Sequence, residues 1–246
     1  MSGPVVLHGG GEFLPGDEPA ITAMLELAEQ ALGRTGRRGG PHPPIRVAVV
    51  PTAAARGRPD LAAVNGVAAF ERVAADRDLD IALTTVRIVD EPSAADPALA
   101  TILADSDLVA FPGGDPDLIP TLFLDSPAWA AVESAHRGGA VLAGASAGAM
   151  ALGSWTWTPA GGQAGLGVIR DLTVMPHADE ATWQRSVARF GPQAPHGISA
   201  LGLGERTAVV IVEGEPWRVV GPGEARWLPF GAQEPVVAFD GDTIVP

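Results

Sequence analysis

Cysteine, lysine and tyrosine are all missing from this chain of 246 residues. Without cysteine it forms no disulfide and has neither a thiolate nucleophile nor a thiolate metal ligand. Without lysine it has no side-chain amine that forms a Schiff base with an aldehyde or with pyridoxal phosphate. These absences exclude several classes of covalent chemistry.

Positive charge is also scarce, because 16 arginines face 29 acidic residues and the formal net charge is -13. So acidic a surface repels phosphate backbones and anionic lipids, and we expect neither nucleic acid nor membranes as partners. The N-terminal segment MSGPVVLHGGGEF lacks the basic and apolar regions of a signal peptide. The apolar run at residues 138–155 is interrupted by glycine and serine. We therefore expect a cytoplasmic protein.

The length and a hydrophobic content of 46% favour one α/β domain over residues 1–246. Through residue 153, β-rich runs alternate with alanine- and leucine-rich helical stretches, which predicts a mostly parallel sheet flanked by helices on both faces. The predicted strands cover residues 5–8, 46–51, 81–89, 108–111 and 140–143. The predicted helices cover residues 18–32, 60–75, 96–104, 116–123 and 128–137.

After residue 153 the pattern changes to short strands and hairpins, interrupted by one predicted helix at residues 180–190. We expect these strands to extend the same sheet or to form an antiparallel ribbon beside it, as a β-rich C-terminal part and not a second domain. Residues 34–44, rich in glycine, proline and arginine, are predicted to form an exposed loop.

Three predicted strands run directly into small residues, in the segments VVLHGGG, LVAFPGGD and AVLAGASAG. In open α/β sheets ligands bind at the carboxyl ends of the strands. Backbone N–H groups of these glycine-rich ends would then approach a substrate at one edge of the sheet. The alternative is that the glycines serve ordinary tight turns.

The sharpest motif is Gly144-Ala145-Ser146-Ala147-Gly148, a G-x-S-x-G pattern between a predicted strand and a predicted helix. This is the pattern of a nucleophile elbow, whose glycines permit a sharp turn that exposes the serine hydroxyl. The backbone N–H of Ala147 would then face a developing oxyanion. A turn of small residues needed only for packing is the alternative.

A nucleophilic serine needs a base, and a base needs a group that orients it. Two of the five histidines are predicted to be solvated, because they lie in the Pro/Gly loop or at a helix end; they are His42 and His136. His8 closes the first strand and is predicted to be structural, and His196 lies in a Pro/Gly-rich loop. His177 follows the apolar strand LTVMP, and a strand end is where such a base should lie. A structural role is the alternative for His177.

Five segments resemble, in order, landmarks of the dipeptidase E and cyanophycinase family of serine peptidases: VVLHGGGEF, FPGGDPDLIPTLF, VLAGASAGAM, VMPHADEATWQR and ALGLGERTAVVIVEG. Together they span residues 5–214. The resemblance implies a fold similar to class I glutamine amidotransferases. It also implies Ser146 as the nucleophile, His177 as general base and acid, and Glu205 as the group that orients His177. For Glu205 the alternative is a solvated turn residue.

The resemblance further implies an oxyanion hole made by the N–H groups of Gly114 and Ala147, with Asp115 as an alternative neighbour for the first. Gln184 and Arg185 follow the histidine on a predicted helix. Arg185 is the candidate for binding a substrate carboxylate, since its planar fork suits that group. An exposed helix residue is the alternative.

Two departures from the family leave the substrate open. Aspartyl dipeptidases carry an additional basic residue where this chain has Thr182 and Trp183. The histidine segment also lacks the Gln-His-Phe-Ser context of cyanophycinases. We therefore expect a small peptide substrate without assigning its side chains. A homodimer is possible, as in other members of the family.

The leading hypothesis is a serine hydrolase that cleaves a peptide or related amide bond through an acyl-enzyme on Ser146, as a short-peptide exopeptidase. No H-E-x-x-H or comparable cluster predicts a metal site, and GGGEF lacks the full dinucleotide pattern, so we expect no cofactor. One alternative is a non-catalytic ligand-binding member of the same fold. Another is an α/β-hydrolase-type esterase, whose order of serine, acid and histidine would require Asp171 or Asp179 with His196.

Overall fold

The computed structural model describes residues 2–34 and 43–246. His42 and most of the loop predicted at residues 34–44 lie outside this part of the chain. The α-helices of the described residues are α1 Glu18–Arg34, α2 Pro59–Asp76, α3 Glu91–Ala94, α4 Pro97–Ala104, α5 Leu118–Phe123, α6 Pro127–Arg137, α7 Ala147–Leu152 and α8 Glu180–Phe190. No helix within residues 2–34 or 43–246 has both the length and the apolar character needed to cross a bilayer.

The strands are short, and most hold two to five residues. They are β1 Val5–His8, β2 Ile45–Val49, β3 Ile81–Thr85, β4 Leu108–Phe111, β5 Val141–Ala145, β6 Trp155–Thr158, β7 Gly161–Ala164, β8 Leu172–Met175, β9 Ser199–Leu203, β10 Ala208–Ile211, β11 Trp217–Val220, β12 Ala225–Leu228, β13 Val236–Ala238 and β14 Thr243–Ile244.

The largest sheet contains eight strands in the order β14-β11-β10-β1-β5-β4-β2-β3. Strands β1, β5, β4, β2 and β3 pair in parallel, whereas β10, β11 and β14 add an antiparallel edge beside β1. The predicted fold class, a mostly parallel sheet between helices with a β-rich C-terminal part, is confirmed. The sheet brings the carboxyl ends of β1, β4 and β5, with their glycine-rich segments, side by side.

Side chains on the two faces of this sheet enter two separate cores. On β1, Val5 and Leu7 pack in the core that contains residues of α5, α6 and α7, whereas Val6 packs in the core that contains residues of α1 and α2. This alternation follows from the two-residue period of a strand. All three side chains are almost completely buried, as expected for a parallel sheet covered on both faces.

The ends of the six predicted helices lie within two residues of those in the structure, whereas the sequence did not predict α3, and several of these ends follow ordinary capping chemistry. Asp96, Ser126 and Asp179 each cap a helix by accepting a backbone N–H of the first turn. Proline stands at the start of α4 and of α6, where no N–H is needed. The predicted third strand is too long, because after Thr85 the N–H of Ile88 turns back to the carbonyl of Val86.

The C-terminal strands divide among three sheets. Strands β10, β11 and β14 extend the main sheet, and β6 and β7 form an antiparallel ribbon, as predicted. The prediction is wrong for β8, β9, β12 and β13, which form a separate four-stranded sheet with a parallel β8–β9 pair. Leu172, Val174 and Leu201 of this second sheet share a core with Val5 and Leu7. We propose on this basis that the chain forms one domain.

A buried polar pair lies at the end of β1. Nε2 of His8 lies 2.6 Å from Oδ1 of Asp17, and both side chains are nearly inaccessible to solvent. The other ring nitrogen of His8 accepts the N–H of Gly10, and Oδ2 of Asp17 accepts the N–H of Phe13. The pair therefore ties the glycine turn after β1 to the start of α1. His8 is structural, as expected from the sequence.

We expect replacement of Asp17 by alanine to lower the free energy of unfolding by about 3 kcal/mol or more, because it leaves His8 and the Phe13 N–H buried without their partner. Glu71→Ala is the matched control, since Glu71 is exposed on α2; it should change stability by less than about 0.5 kcal/mol. Chemical denaturation measures both. Equal stability of the two variants would contradict a structural role for the buried pair.

Candidate active site

Ser146 lies in a strained turn between β5 and α7. Its backbone has φ of +50°, which a non-glycine residue rarely adopts. The flanking glycines permit the turn, because a Cβ on Gly144 would lie 2.5 Å from the carbonyl carbon of Gly148. A Cβ on Gly148 would lie 2.0 Å from the carbonyl oxygen of Phe111. The local geometry is that of a nucleophile elbow.

The hydroxyl of Ser146 meets a histidine, and the histidine meets a carboxylate. Ser146 Oγ lies 3.0 Å from His177 Nε2, and His177 Nδ1 lies 3.2 Å from Glu205 Oε1. With its proton on Nδ1, the imidazole donates to Glu205 and can accept the hydroxyl proton of Ser146. The His177 and Glu205 side chains are 46% and 53% exposed, so the arrangement opens to solvent.

Three consecutive carbonyl groups at the end of β1 hold the three segments together. The carbonyl of His8 accepts the N–H of Ser146 at 2.9 Å. The next carbonyl, of Gly9, accepts the N–H of His177 at 2.8 Å, and that of Gly10 accepts the N–H of Arg206 at 2.7 Å. Backbone hydrogen bonds thus attach Ser146, His177 and the neighbour of Glu205 to three successive residues of one turn.

Gly10 is required at this turn for a second reason. A Cβ on Gly10 would lie 2.2 Å from Cε1 of His177, and its φ is +112°. The imidazole therefore packs directly against backbone. His177 itself has φ of +52°, and Arg206, the residue after Glu205, has φ of +57°. Unfavourable backbone conformations concentrate around this site, as they do at many functional sites.

One expected donor of the oxyanion hole is already engaged in another hydrogen bond. The N–H of Asp115, the alternative to that of Gly114, donates to the carbonyl of Ala53 at 2.7 Å, so this expectation is wrong. Among the described residues, neither the N–H of Gly114 nor that of Ala147 donates to a backbone carbonyl in the turns and loops. Gly114 cannot carry a side chain, because a Cβ there would lie 2.2 Å from the Ala53 carbonyl oxygen. These two N–H groups remain the candidates.

Gln184 and Arg185 are both exposed on α8. Gln184 donates to Glu180 Oε1, and Arg185 donates to Thr182 Oγ1. Neither side chain lines the cleft beside His177, although Thr182 does. Arg185 therefore stands at the rim of this cleft and not inside it.

The rings of His196 and His136 take no part in the site. The ring of His196 packs against Phe230, with centroids 4.5 Å apart. His136 was predicted to be solvated, which is wrong: it is partly buried, and its Nδ1 lies 3.0 Å from the Ala140 carbonyl oxygen. Burial lowers the pKa of His136. The ring lies against the turn that joins α6 to β5.

Two clefts flank the candidate triad. One, of about 690 Å³, is lined by His177, Glu205 and the exposed ring of Phe239. The other, of about 360 Å³, lies on the side of Gly114 and is lined in part by Glu12. The first cleft is thus bounded by two members of the candidate triad, and the second by a glycine of the candidate oxyanion hole.

Sequence reasoning missed Glu12. Its Oε1 accepts the N–H of Gly113 at 2.8 Å, so its carboxylate joins the glycine turn of β1 to the loop after β4. The only signal was its position in GGGEF, directly after a predicted strand end. In residues 2–34 and 43–246 there is no group of three or more His, Asp or Glu side chains arranged to hold a metal ion.

The peptidase family S51 model matches residues 40–218. The chain belongs to peptidase family S51. This is the family of dipeptidase E and cyanophycinase that the sequence resembles. The match covers β2 through the first two residues of β11 and includes Ser146, His177 and Glu205. A comparison with curated protein sequences finds no match.

Solved structures with a similar fold include two from bacteria. The first is a peptidase from an acI-B1 Actinobacterium, with a TM-score of 0.77 and 24% sequence identity over 100% of this chain and 98% of that one. The second is a putative peptidase E protein from Listeria monocytogenes EGD-e, with a TM-score of 0.60 and 14% identity over 91% of this chain and 100% of that one. At these identities the likeness shows a shared fold.

We expect Gly148→Ala to destabilise this S51 family member by at least about 2 kcal/mol, because the added Cβ would collide with the Phe111 backbone at the base of the elbow. Gly57→Ala is the control: its Cβ would lie 3.6 Å from its nearest neighbour, the Ala54 carbonyl oxygen. Thermal unfolding compares the two. A Gly148→Ala variant as stable as Gly57→Ala would show that the elbow tolerates a side chain.

Proposed function

We propose that this chain is a serine peptidase that cleaves short peptides through an acyl-enzyme on Ser146. The observation that carries the proposal is the continuous chain of contacts from Ser146 Oγ to His177 Nε2 and from His177 Nδ1 to Glu205 Oε1, at 3.0 and 3.2 Å. Membership of a peptidase family supports the same reaction.

In the proposed mechanism, Ser146 Oγ attacks the carbonyl carbon of the scissile bond while His177 Nε2 takes the hydroxyl proton. The Gly114 and Ala147 N–H groups stabilise the resulting oxyanion. His177 then gives the proton to the leaving amine, and the C–N bond breaks. Water attacks the acyl-enzyme with His177 again as base. Glu205 holds the imidazole in the required tautomer and offsets its positive charge.

The two clefts support an exopeptidase acting on short peptides. Because His177 delivers the proton to the leaving amine, the leaving group occupies the cleft of about 690 Å³ beside it. We propose that Arg185, at the rim of this cleft through Thr182, meets a carboxylate of that group. The acyl part occupies the space on the side of Gly114. The homodimer and the cytoplasmic location stay predictions from the sequence.

The alternatives lack comparable support. An esterase with the order serine, acid, histidine needs His196 as base, but the His196 ring packs on Phe230, whereas Ser146 meets His177. A non-catalytic binding protein has no need for the complete Ser-His-Glu set. A fluorophosphonate probe distinguishes the binder from the enzyme, because the probe labels only an activated serine. Folded protein that stays unlabelled at Ser146 would favour the binder.

We expect Ser146→Ala and His177→Ala each to lower turnover of a dipeptide library by about 10⁴-fold or more, and the double variant to cost little beyond either one, because the residues act as a unit. Glu205→Gln should cost less, since it keeps the imidazole close to a polar acceptor. Single-turnover kinetics measures all four variants, with circular dichroism to confirm folding. An unchanged rate in Glu205→Gln would assign the orienting role to another group.

We expect Arg185→Ala to raise KM about 10-fold for dipeptides whose leaving residue carries a carboxylate, because one charge-assisted contact is lost. The KM for the matching dipeptide amides, in which that carboxylate is replaced by a neutral amide, should not change. Arg218→Ala, an exposed arginine on β11, is the control. Steady-state kinetics on the paired substrates provides the measurement. If selectivity for acidic substrates survived, Arg185 would be an ordinary surface residue. If only carboxylic esters were hydrolysed, the peptidase proposal itself would fail.

A further inference from the structure

The peptide unit between Gly9 and Gly10 lies between two histidines. Its carbonyl oxygen accepts the backbone N–H of His177 at 2.8 Å, and its N–H donates to Nδ1 of the His8 ring at 3.1 Å. A Cβ on Gly10 would lie 2.2 Å from Cε1 of His177, so the imidazole of the candidate triad rests directly on this part of the backbone. The orientation of one peptide plane therefore affects both the backbone and the ring of His177.

Glycine on both sides makes this peptide plane easy to rotate. The rotation changes only ψ of Gly9 and φ of Gly10, and glycine adopts positive and negative φ about equally readily. The neighbouring peptide units have their own hydrogen bonds, to Thr207 and Arg206, which do not oppose this rotation. A rotated plane would turn the Gly9 carbonyl away from the N–H of His177.

The His8 ring opposes this rotation from the N–H side of the peptide plane. Nδ1 accepts a hydrogen bond only while it carries no proton, so the ring proton of His8 must lie on Nε2. Asp17 favours that tautomer, because its Oδ1 lies 2.6 Å from Nε2. Both side chains are nearly inaccessible to solvent, so water competes little for these contacts.

We propose that His8 is a positioning residue for His177, which acts by holding the Gly9–Gly10 peptide plane in place. The inference rests on the proposed serine peptidase function. When the plane rotates, His177 loses its backbone anchor and the surface on which its ring rests, and its Nε2 leaves the position 3.0 Å from Ser146 Oγ. The ring of His8 therefore has a role in the reaction beyond its buried contact with a carboxylate.

The proposal predicts an effect on the chemical step and not on substrate binding. His8 lines neither of the two clefts beside the triad, so its replacement leaves the contacts of the substrate unchanged. A misplaced base takes the Ser146 proton more slowly, and a misplacement of about 1 Å costs up to about 100-fold in rate. A residue needed only for folding would change stability and leave kcat of the folded molecules unaffected.

Two amide side chains separate the contacts of the His8 ring. In His8→Asn, the amide oxygen takes the place of Nδ1 and can still accept the Gly10 N–H, but the side chain is too short to reach Asp17. In His8→Gln, the amide nitrogen takes the place of Nε2 and can still donate to Asp17, but nothing replaces Nδ1. His196→Asn and His196→Gln are the matched controls, because the His196 ring lies against Phe230 and outside the site.

In His8→Gln we expect kcat for the fastest dipeptide of the library to fall by about 10- to 100-fold with KM unchanged, because the peptide plane has lost its restraint. His8→Asn should be less stable, as expected for Asp17→Ala, but should keep a kcat close to that of the wild type. The His196 variants should keep both constants. Steady-state kinetics on folded protein, checked by circular dichroism, provides the measurement. Equal kcat values in the two His8 variants would overturn the proposal.

Should His8→Gln fail to fold, His8→Asn and the wild-type protein decide the question. A reduced kcat in folded His8→Asn, which keeps the acceptor for Gly10, would overturn the proposal. So would a proton on Nδ1 of His8 in nitrogen NMR of isotope-labelled wild-type protein, where we expect it on Nε2. Hydrolysis that requires Ser146 and keeps its rate in His8→Gln would overturn the role of His8 and leave the proposed function standing. Absence of any hydrolysis dependent on Ser146 would overturn both.

Discussion

The candidate site depends on one short piece of backbone, the turn that follows β1. The carbonyls of His8, Gly9 and Gly10 accept, in order, the N–H groups of Ser146, His177 and Arg206. These are backbone bonds, so the relative positions of the segments do not depend on which side chains meet. The buried contact between the His8 and Asp17 side chains holds the turn in place. The distances near 3 Å from Ser146 to His177 and from His177 to Glu205 follow from this arrangement.

Close approach of backbone explains why glycine recurs around the site. The His177 ring packs on Gly10, and the loop after β4 reaches Ala53 through Gly114. A single methyl group added at either glycine would prevent the contact that this glycine makes. The strain of positive φ at non-glycine residues is then offset by the buried sheet on which the turn rests, since the strands β1, β4 and β5 are buried along their length.

Much of the central fold was predictable because its signals are local. Apolar runs ending in glycine located β1 and β4, and capping residues located the helices. The G-x-S-x-G motif indicates Ser146 and a strand end indicates His177, each with a structural alternative, whereas Glu205 follows only from the family resemblance. Membership of the family is confirmed by a match over residues 40–218.

The remainder depends on contacts between distant residues. Short strands such as β8 and β9 bury apolar side chains equally well in either sheet, so their sequence does not name a partner. The N–H of Asp115 is occupied by Ala53, more than sixty positions earlier, and no local pattern encodes that bond. Glu12 meets Gly113 across an interval of 101 residues. Only the folded chain brings such pairs together.

The segment that contains α8 is anchored on both sides, so the outer face of this helix is free to vary in sequence. The chain is fixed by backbone bonds at His177, before this helix, and at Arg206, well after it. Within the helix only Trp183 is fully buried. Substitutions on the outer face of α8, including the position of Arg185, therefore leave the reacting groups where they are. Under the proposed function, preference for the leaving group can diverge among descendants of this protein while Ser146, His177 and Glu205 keep their positions.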